Sequence, residues 1–414
     1  HLAQFSERRI RLCGHQRDDG SWGPRGMEAL CTPGEPCIAA EASTNANYDE
    51  GLTGLALLAF LGAGHAHDSK VFVIDTPMQR RYDLGPTVKR GLQWLVKRQR
   101  DDGSFCESGY IYNEALATMA LCEAYGMTRN RYWKQPAQRA VDFLVRAQKR
   151  TAVDGSPWGW RYRSAESIDN EHAADTTYDD ERYERDISES DISVTCWAVM
   201  ALKSARMSKL NVPEDALLGA LAFARSVADD QGRAGYLDRA GAGLAVGGVG
   251  EEFTYHLGTP TALDMLVRTF VARDLSDPFL AQGAQHLVRD LPSVSKERLS
   301  VDYYYWYHAS LALIQFDGEA SPRHTGAYWK PWRRALETAL VALQQPVRKG
   351  ACSSGAWLVD DRWSHAGHAL YNTAINTLTF EVFNRYPNAF GTQGLELVDT
   401  ESSDGAAGAE AAAK

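Results

Sequence analysis

Apolar positions along this chain follow two alternating patterns. In the first, Val88, Gly91, Leu92, Trp94 and Leu95 recur at three- and four-residue steps while Lys89, Arg90, Lys97 and Arg98 take the opposite face. That spacing predicts an amphipathic helix over roughly 84–99. In the second, the run Gly51-Leu52-Thr53-Gly54-Leu55-Ala56-Leu57-Leu58-Ala59-Phe60-Leu61 is apolar nearly all round. A helix of that kind must be buried on every side. The alternation occurs six times. The amphipathic members are expected over roughly 2–14, 84–99, 136–149, 212–227, 277–291 and 331–345. The apolar members are expected over roughly 51–63, 110–125, 191–205, 260–272, 302–316 and 369–384.

A recurrent turn joins the members of each pair. It reads Gln16-Arg17-Asp18-Asp19-Gly20-Ser21-Trp22-Gly23 in one copy and Gln99-Arg100-Asp101-Asp102-Gly103-Ser104-Phe105 in another. A third copy runs from Gln148 to Trp160, and weaker ones stand at 229–232, at 290–292 and from Gln344 to Trp357. Gly reverses the chain, Trp can cover the turn, and Gln can bond the carbonyls left open at the outer helix end. A repeat of one supersecondary unit defines the architecture. The expected fold is all-α, an (α/α)6 toroid over 1–390, with amphipathic helices outside, apolar helices inside and one central cavity. Insertions interrupt it at 163–190 (acidic), 232–258 (Gly-rich) and 317–330, and the low-complexity tail 391–414 is expected to be disordered.

Composition narrows the partners. With 414 residues, 44% hydrophobic and 23% charged, the chain has an ordinary globular make-up. A net charge of -9 argues against nucleic acid, whose binders need a basic face. No apolar run reaches ~18 residues, so no transmembrane helix is expected. There are seven cysteines. Cys106, Cys122 and Cys196 lie in or beside apolar stretches and read as buried small hydrophobes. Cys31 and Cys37 bracket Thr-Pro-Gly-Glu-Pro and read as a disulfide, which would mark an exported or periplasmic protein; a removed leader before His1 fits that expectation. A zinc site at these two cysteines lacks a second Cys/His pair nearby in sequence.

The toroid itself suggests where chemistry belongs. Parallel inner helices gather their N-termini at one mouth, which favours an anion such as a diphosphate or carboxylate. Asp49, Glu50, Glu114, Asp191 and Asp302 fall at that level. Each is either a helix cap or a member of a carboxylate cluster with raised pKa values. Tyr110, Tyr112, Trp197, Tyr255, Tyr371 and the run Tyr303-Tyr304-Tyr305-Trp306-Tyr307 lie near the same ends, as cavity lining or as core. At most two of the five from 303 to 307 can face the lumen, because successive helical residues point about 100° apart. His256 and His308 are the histidines nearest the mouth and lack helical metal spacing.

In its repeats and turns the chain resembles the terpenoid cyclase and protein prenyltransferase superfamily, squalene cyclase-like toroids, over roughly 1–388. The resemblance implies an active site at the start of the third inner helix, Asp191-Ile192-Ser193-Val194-Thr195. Cyclases of the superfamily carry Asp-x-Asp-Asp-Thr there, and the middle Asp protonates the substrate. Here Ser193 takes the place of that acid and Val194 that of the last Asp. Prenyltransferases carry Asp-x-Cys there and Tyr-His-Thr on the last inner helix, and the Asp, Cys and His bind zinc. Here Ser193 replaces the Cys, and Asn372 in Tyr371-Asn372-Thr373 replaces the His. Arg185 falls where prenyltransferases place a diphosphate-binding Arg, and Ser188 at the companion Lys.

The resemblance therefore implies no zinc and no other cofactor. Two readings stand. One is an isoprenoid-binding, cyclase- or prenyl-transfer-like enzyme with Asp191, Asp302 and Glu114 as its acids. Its small apolar ligand would then lie against Tyr112, Arg185, Ser193, Trp197, Tyr303, Trp306, Tyr371 and Asn372. The other is a non-catalytic scaffold or protein-binding toroid, whose protein partner is not legible. Among other α/α toroids, glycosidases need two carboxylates at a set separation, and the thioester motif Gly-Cys-Gly-Glu-Gln is absent from the sequence.

Overall fold

The computed structural model describes residues 9–33, 37, 48–106, 108–174, 180–239, 258–294 and 301–382. Six inner helices form the middle of the molecule. They are α2 (Asp49–Leu61), α4 (Ile111–Thr128), α8 (Ile192–Met207), α10 (Gly258–Val271), α12 (Tyr303–Asp317) and α14 (His368–Glu381). Each packs on the next, and α14 packs back on α2, so the ring closes. The outer layer comprises α1 (residues 9–14), α3 (Leu84–Arg98), α5 (Arg131–Arg146), α9 (Glu214–Val227), α11 (Pro278–Leu287) and α13 (Trp329–Leu343). The twelve-helix toroid expected from the sequence is the observed fold. Almost every residue of α2, α4, α8, α12 and α14 is buried, whereas the outer helices bury one face.

The recurrent turn works through a fixed set of bonds. The indole N–H of Trp22, Trp160 and Trp357 donates to the carbonyl of Leu12, Leu144 and Leu340, at 2.7, 2.7 and 2.9 Å. Each of those carbonyls lies in or near the last turn of the preceding outer helix. The side-chain amide of Gln16 donates to Gly20 and to Thr87 on α3, both at 2.9 Å. Gln99 bonds Gly103 and Pro136 on α5 in the same way, and Gln148 bonds Trp158 and Ala216 on α9. So in the turns that carry Trp it is Trp, not Gln, that closes the outer helix end, and Gln16, Gln99 and Gln148 stitch their turns to the next outer helix. Gly103 shows why the turn needs glycine: its φ is +93°, and a Cβ there would stand 2.3 Å from the carbonyl oxygen of Arg139.

Some elements differ from the sequence reading. Helix α5 begins at Arg131 rather than near 136, because the Asn130 side chain accepts from the N–H of Tyr132 and caps an earlier start. Between α2 and α3 an antiparallel hairpin pairs β1 (Phe72–Asp75) with β2 (Arg80–Asp83). The acidic insertion carries two short helices, α6 (Ala165–Ala174) and α7 (Asp180–Ser188). Residues 2–8, most of the Gly-rich insertion with Tyr255 and His256, and the tail 391–414 lie outside the described residues.

The first and last repeats meet at a seam. Arg9 on α1 pairs with Glu381 at 3.0 Å, and Arg11 donates to the Cys352 carbonyl at 2.6 Å while pairing with buried Asp75 at 2.5 Å. Cys31 and Cys37 lie in the first-repeat loop beside this seam. They are not joined by the disulfide expected from their spacing, and Cys37 Sγ instead stands 3.2 Å from Cys352 Sγ.

Candidate functional site

A cavity of about 540 Å³ opens among the N-terminal turns of the inner helices. All six contribute: Leu52 and Leu55 from α2, Tyr112 and Leu116 from α4, Ser193 and Trp197 from α8, Pro260 and Leu263 from α10, Tyr304 from α12, and Tyr371 and Ile375 from α14. Leu55, Leu116, Trp197, Leu263 and Ile375 sit four to eight residues into their helices. At 1.5 Å per residue the cavity reaches roughly 10 Å down the lumen. The rim comes from residues just before the helices and in the turns: Tyr48, Tyr110, Tyr162, Arg163, Tyr236, Arg362, Trp363 and His365.

The wall is chiefly aromatic. Tyr48, Tyr110 and Tyr112 follow one another with ring centroids 5.7 and 5.5 Å apart, and Tyr162 stacks on Tyr110 at 6.3 Å. Across the lumen Tyr304 packs against Trp363 at 5.4 Å. The hydroxyls are tied together. Ser193 Oγ bonds the hydroxyl of Tyr112 at 2.7 Å and that of Tyr304, and the Trp197 indole N–H donates to Tyr304 at 3.0 Å. Tyr162 and Tyr236 bond through their hydroxyls. The Tyr371 hydroxyl is buried and has no hydrogen-bond partner among the described residues. Burial of these phenols raises their pKa values well above 10 at Tyr112, Tyr304 and Tyr371, so they stay neutral donors.

The three carboxylates singled out in the sequence stand behind this wall rather than in it. Asp191 caps α8: one oxygen accepts from the N–H of Val194 at 2.8 Å and the other from Arg161 at 3.1 Å. Complete burial pushes its carboxyl up to about 6, against the pull of Arg161. Asp302 caps α12 through the N–H of Tyr305 at 2.9 Å and lies 3.7 Å from Arg362. Glu114 turns back to its own turn and accepts from the N–H groups of Phe105 and Cys106 at 2.9–3.0 Å.

The remaining sequence candidates divide. Tyr112, Ser193, Trp197 and Tyr371 line the cavity. Of the run from 303 to 307 only Tyr304 does. Tyr303 and Trp306 are buried in the wall against each other, at 5.7 Å. Tyr305 faces outward onto Trp332 on α13. His308 is buried beside Trp197 and Tyr304, and burial lowers it to about 4, so it is neutral near pH 7. Arg185 is half-exposed on α7, 3.9 Å from Asp186, and is not a lining residue. Asn372 accepts from Ser364 at 2.6 Å and donates to Val359 and Asp360. Asp191, Ser193 and Asn372 thus offer one carboxylate already held by Arg161, a hydroxyl and an engaged amide. That set does not fit a zinc ion at the lumen.

Tyr48, Tyr162, Tyr236, Arg163, Arg362 and Trp363 were missed in the sequence. Their one common signal was position: each lies in a turn or immediately before an inner helix, the level at which the mouth was expected.

Glu114 carries a pH prediction. Burial raises its carboxyl to about 7 from an ordinary 4.5. The folded chain then holds a proton that the unfolded chain releases between these values. The stability from that proton is fully present below about pH 4.5 and is lost as pH rises through about 7. A shift of that size corresponds to about 3 kcal/mol. Urea unfolding of the native protein and of Glu114→Gln at pH 5 and pH 8 is expected to show a smaller pH difference in the variant. Identical pH differences in the two proteins would mean that Glu114 is ionised throughout.

These features define an α/α toroid with an aromatic lumen. Solved structures of the same fold include an α-1,6-mannanase of Salegentibacter sp. HEL1_6, at TM-score 0.56 and 10% identity over 92% of this chain and 98% of that one. They also include the type II terpene cyclase MstE from Scytonema, at TM-score 0.55 and 13% identity over 94% of this chain and 97% of that one. A protein from Actinoplanes aligns at TM-score 0.50 and 14% identity, over 92% and 99% of the two chains. No family model and no curated protein sequence matches the chain.

Proposed function

We propose that this toroid binds an elongated apolar, isoprenoid-like molecule in its lumen, with a polar or anionic head at the mouth. The observation that carries this reading is the wall itself. Among the described lining residues there are seven tyrosines and two tryptophans, with leucine, isoleucine and proline beneath, and no carboxylate. An apolar pocket of this size with a few placed hydroxyls suits a hydrocarbon chain with one polar end. Arg163 and Arg362 are at the rim, as are the N-termini of α2, α4 and α14, whose first turns receive no capping hydrogen bond from the N-cap side chain among the described residues. Asp191 and Asp302 offset the same field at α8 and α12, so the attraction for a head group is moderate. The terpene cyclase of like fold holds geranylgeranyl dihydroxybenzoate as its substrate, a ligand of this shape.

A sugar is favoured less. An inactive variant of the mannanase is seen in complex with α-1,6-mannotriose, but glycoside hydrolysis needs paired carboxylates flanking the bond, and the described lining residues offer none. Protonation of an alkene is likewise unsupported at Ser193, since a hydroxyl is far too weak an acid.

Trp197 and Trp363 make the cavity its own reporter. Titration with geranylgeranyl diphosphate, geranylgeraniol, squalene and mannotriose is expected to quench tryptophan fluorescence for the isoprenoids and not for the sugar. A stronger response to the diphosphate than to the alcohol would support the charged head. Quenching by mannotriose alone would overturn the reading, and no response to any of the four would favour a scaffold. Product analysis of the same mixtures separates binding from turnover.

A further inference from the structure

We propose that His15, Cys31, Cys37 and Cys352 bind one zinc ion in a Cys3His site that fastens the first repeat of the ring to the last. His15 follows α1, Cys31 follows a short 3-10 turn at Met27–Leu30, Cys37 lies six residues on, and Cys352 lies in the sixth turn after α13. Their imidazole nitrogen and three sulfurs all lie within 4.8 Å of one another. His15 Nε2 is 3.6 Å from Cys31 Sγ, and Cys37 Sγ is 3.2 Å from Cys352 Sγ. With Zn–S near 2.3 Å and Zn–N near 2.0–2.1 Å, the edges of a tetrahedron are about 3.5–3.8 Å. Changes in these separations of up to about one ångström would complete that geometry.

The surroundings are those of ligands held in place. His15 Nδ1 lies 2.8 Å from the Arg11 carbonyl, so it carries the proton and leaves the Nε2 lone pair directed at the sulfurs. The backbone N–H of Thr32 donates to Cys352 Sγ at 3.2 Å, and that of Cys37 to Cys31 Sγ at 3.3 Å. Donors of this kind favour thiolate over thiol. Thr32 also accepts from the N–H of Cys352 at 3.1 Å and donates to Gly350 at 2.7 Å, which pins the two loops together. A disulfide would use two of the three sulfurs and leave the third with the imidazole unexplained. A soft set of three sulfurs and one imidazole selects zinc among common divalent ions. None of the four residues lines the lumen. Four protein ligands leave no open position, so the role is structural. The site ties residue 15 to residue 352, at the seam where the last repeat of the ring meets the first. It does not depend on what the lumen binds.

The full chain, purified without chelator in reducing buffer, is expected to contain about one zinc per molecule by elemental analysis. Cobalt substitution is expected to give the intense visible bands of tetrahedral thiolate coordination. Cys31, Cys37 and Cys352 should resist alkylation until a chelator is added, then react together, while Cys122 and Cys196 do not change. Cys352→Ser is expected to lose the metal, and should it fail to fold, the cobalt spectrum and alkylation pattern of the native chain decide. Metal-free protein with three independently reactive thiols would overturn the proposal. So would a Cys37–Cys352 disulfide in metal-free protein, or full zinc occupancy in Cys352→Ser.

Discussion

Trp160→Ala is expected to lower the unfolding free energy by about 3–5 kcal/mol, the range for removing a fully buried tryptophan. Trp160 is wholly buried between α5 and α8. Its indole donates to Leu144 at 2.7 Å, and its backbone N–H donates to Thr195 Oγ1 on α8 at 2.9 Å. The side chain therefore fills space and also satisfies the carbonyl of an outer helix end. Trp160→Phe separates the two roles. It keeps most of the ring volume and leaves the Leu144 carbonyl unpaired, at a cost of about 1–3 kcal/mol. Urea unfolding followed by far-ultraviolet circular dichroism measures both. A loss below about 1 kcal/mol for Trp160→Ala would mean that the turn is held by Gln148 and the glycines alone.

Leu263→Trp is expected to weaken isoprenoid binding at least ~30-fold, or about 2 kcal/mol, while leaving the helical signal and the midpoint of unfolding nearly unchanged. Leu263 lines the cavity from α10 at its deeper end. An indole there would extend into empty volume, so the overpacking strain usual in a filled core is small. Tyr304→Phe makes the complementary change. It keeps the shape of the wall and removes the hydroxyl that joins Ser193 and Trp197. If the hydroxyl cluster holds a polar end of the ligand, binding falls in Tyr304→Phe as well; if only the apolar wall matters, it holds. Binding that persists unaltered in Leu263→Trp would place the ligand outside the lumen.

Much of the architecture was legible because it repeats. A helix that is apolar on every side has no stable place except inside other helices, and Gly51 to Leu61 states that directly. The amphipathic partners and the Gln-to-Trp turns then fix the order outer, turn, inner, six times over. The level of the cavity mouth followed from the same logic, since parallel inner helices bring their first turns to one end. Within that level, residue roles were not legible. Asp191, Asp302 and Glu114 stand in or beside first turns, where a carboxylate can turn to its own backbone or to the lumen. The two outcomes differ by a side-chain rotation that leaves no trace in spacing. The same holds for the run from Tyr303 to Tyr307, where one ring of five reaches the cavity.

What the sequence by itself determined is therefore what depends on periodicity: helix type, the inner and outer layers, the turn chemistry and the end of the ring at which the cavity opens. Tertiary structure decided everything that depends on bringing distant segments together. Ring closure sets Trp363 against Tyr304, and Tyr48 against Tyr110, to build the wall. It also carries Cys352 to within 3.2 Å of Cys37 across 315 positions. Cys31 and Cys37 looked like a local pair because sequence spacing measures only local reach. The other half of their environment arrives from the last repeat, and only a chain that has closed on itself can supply it.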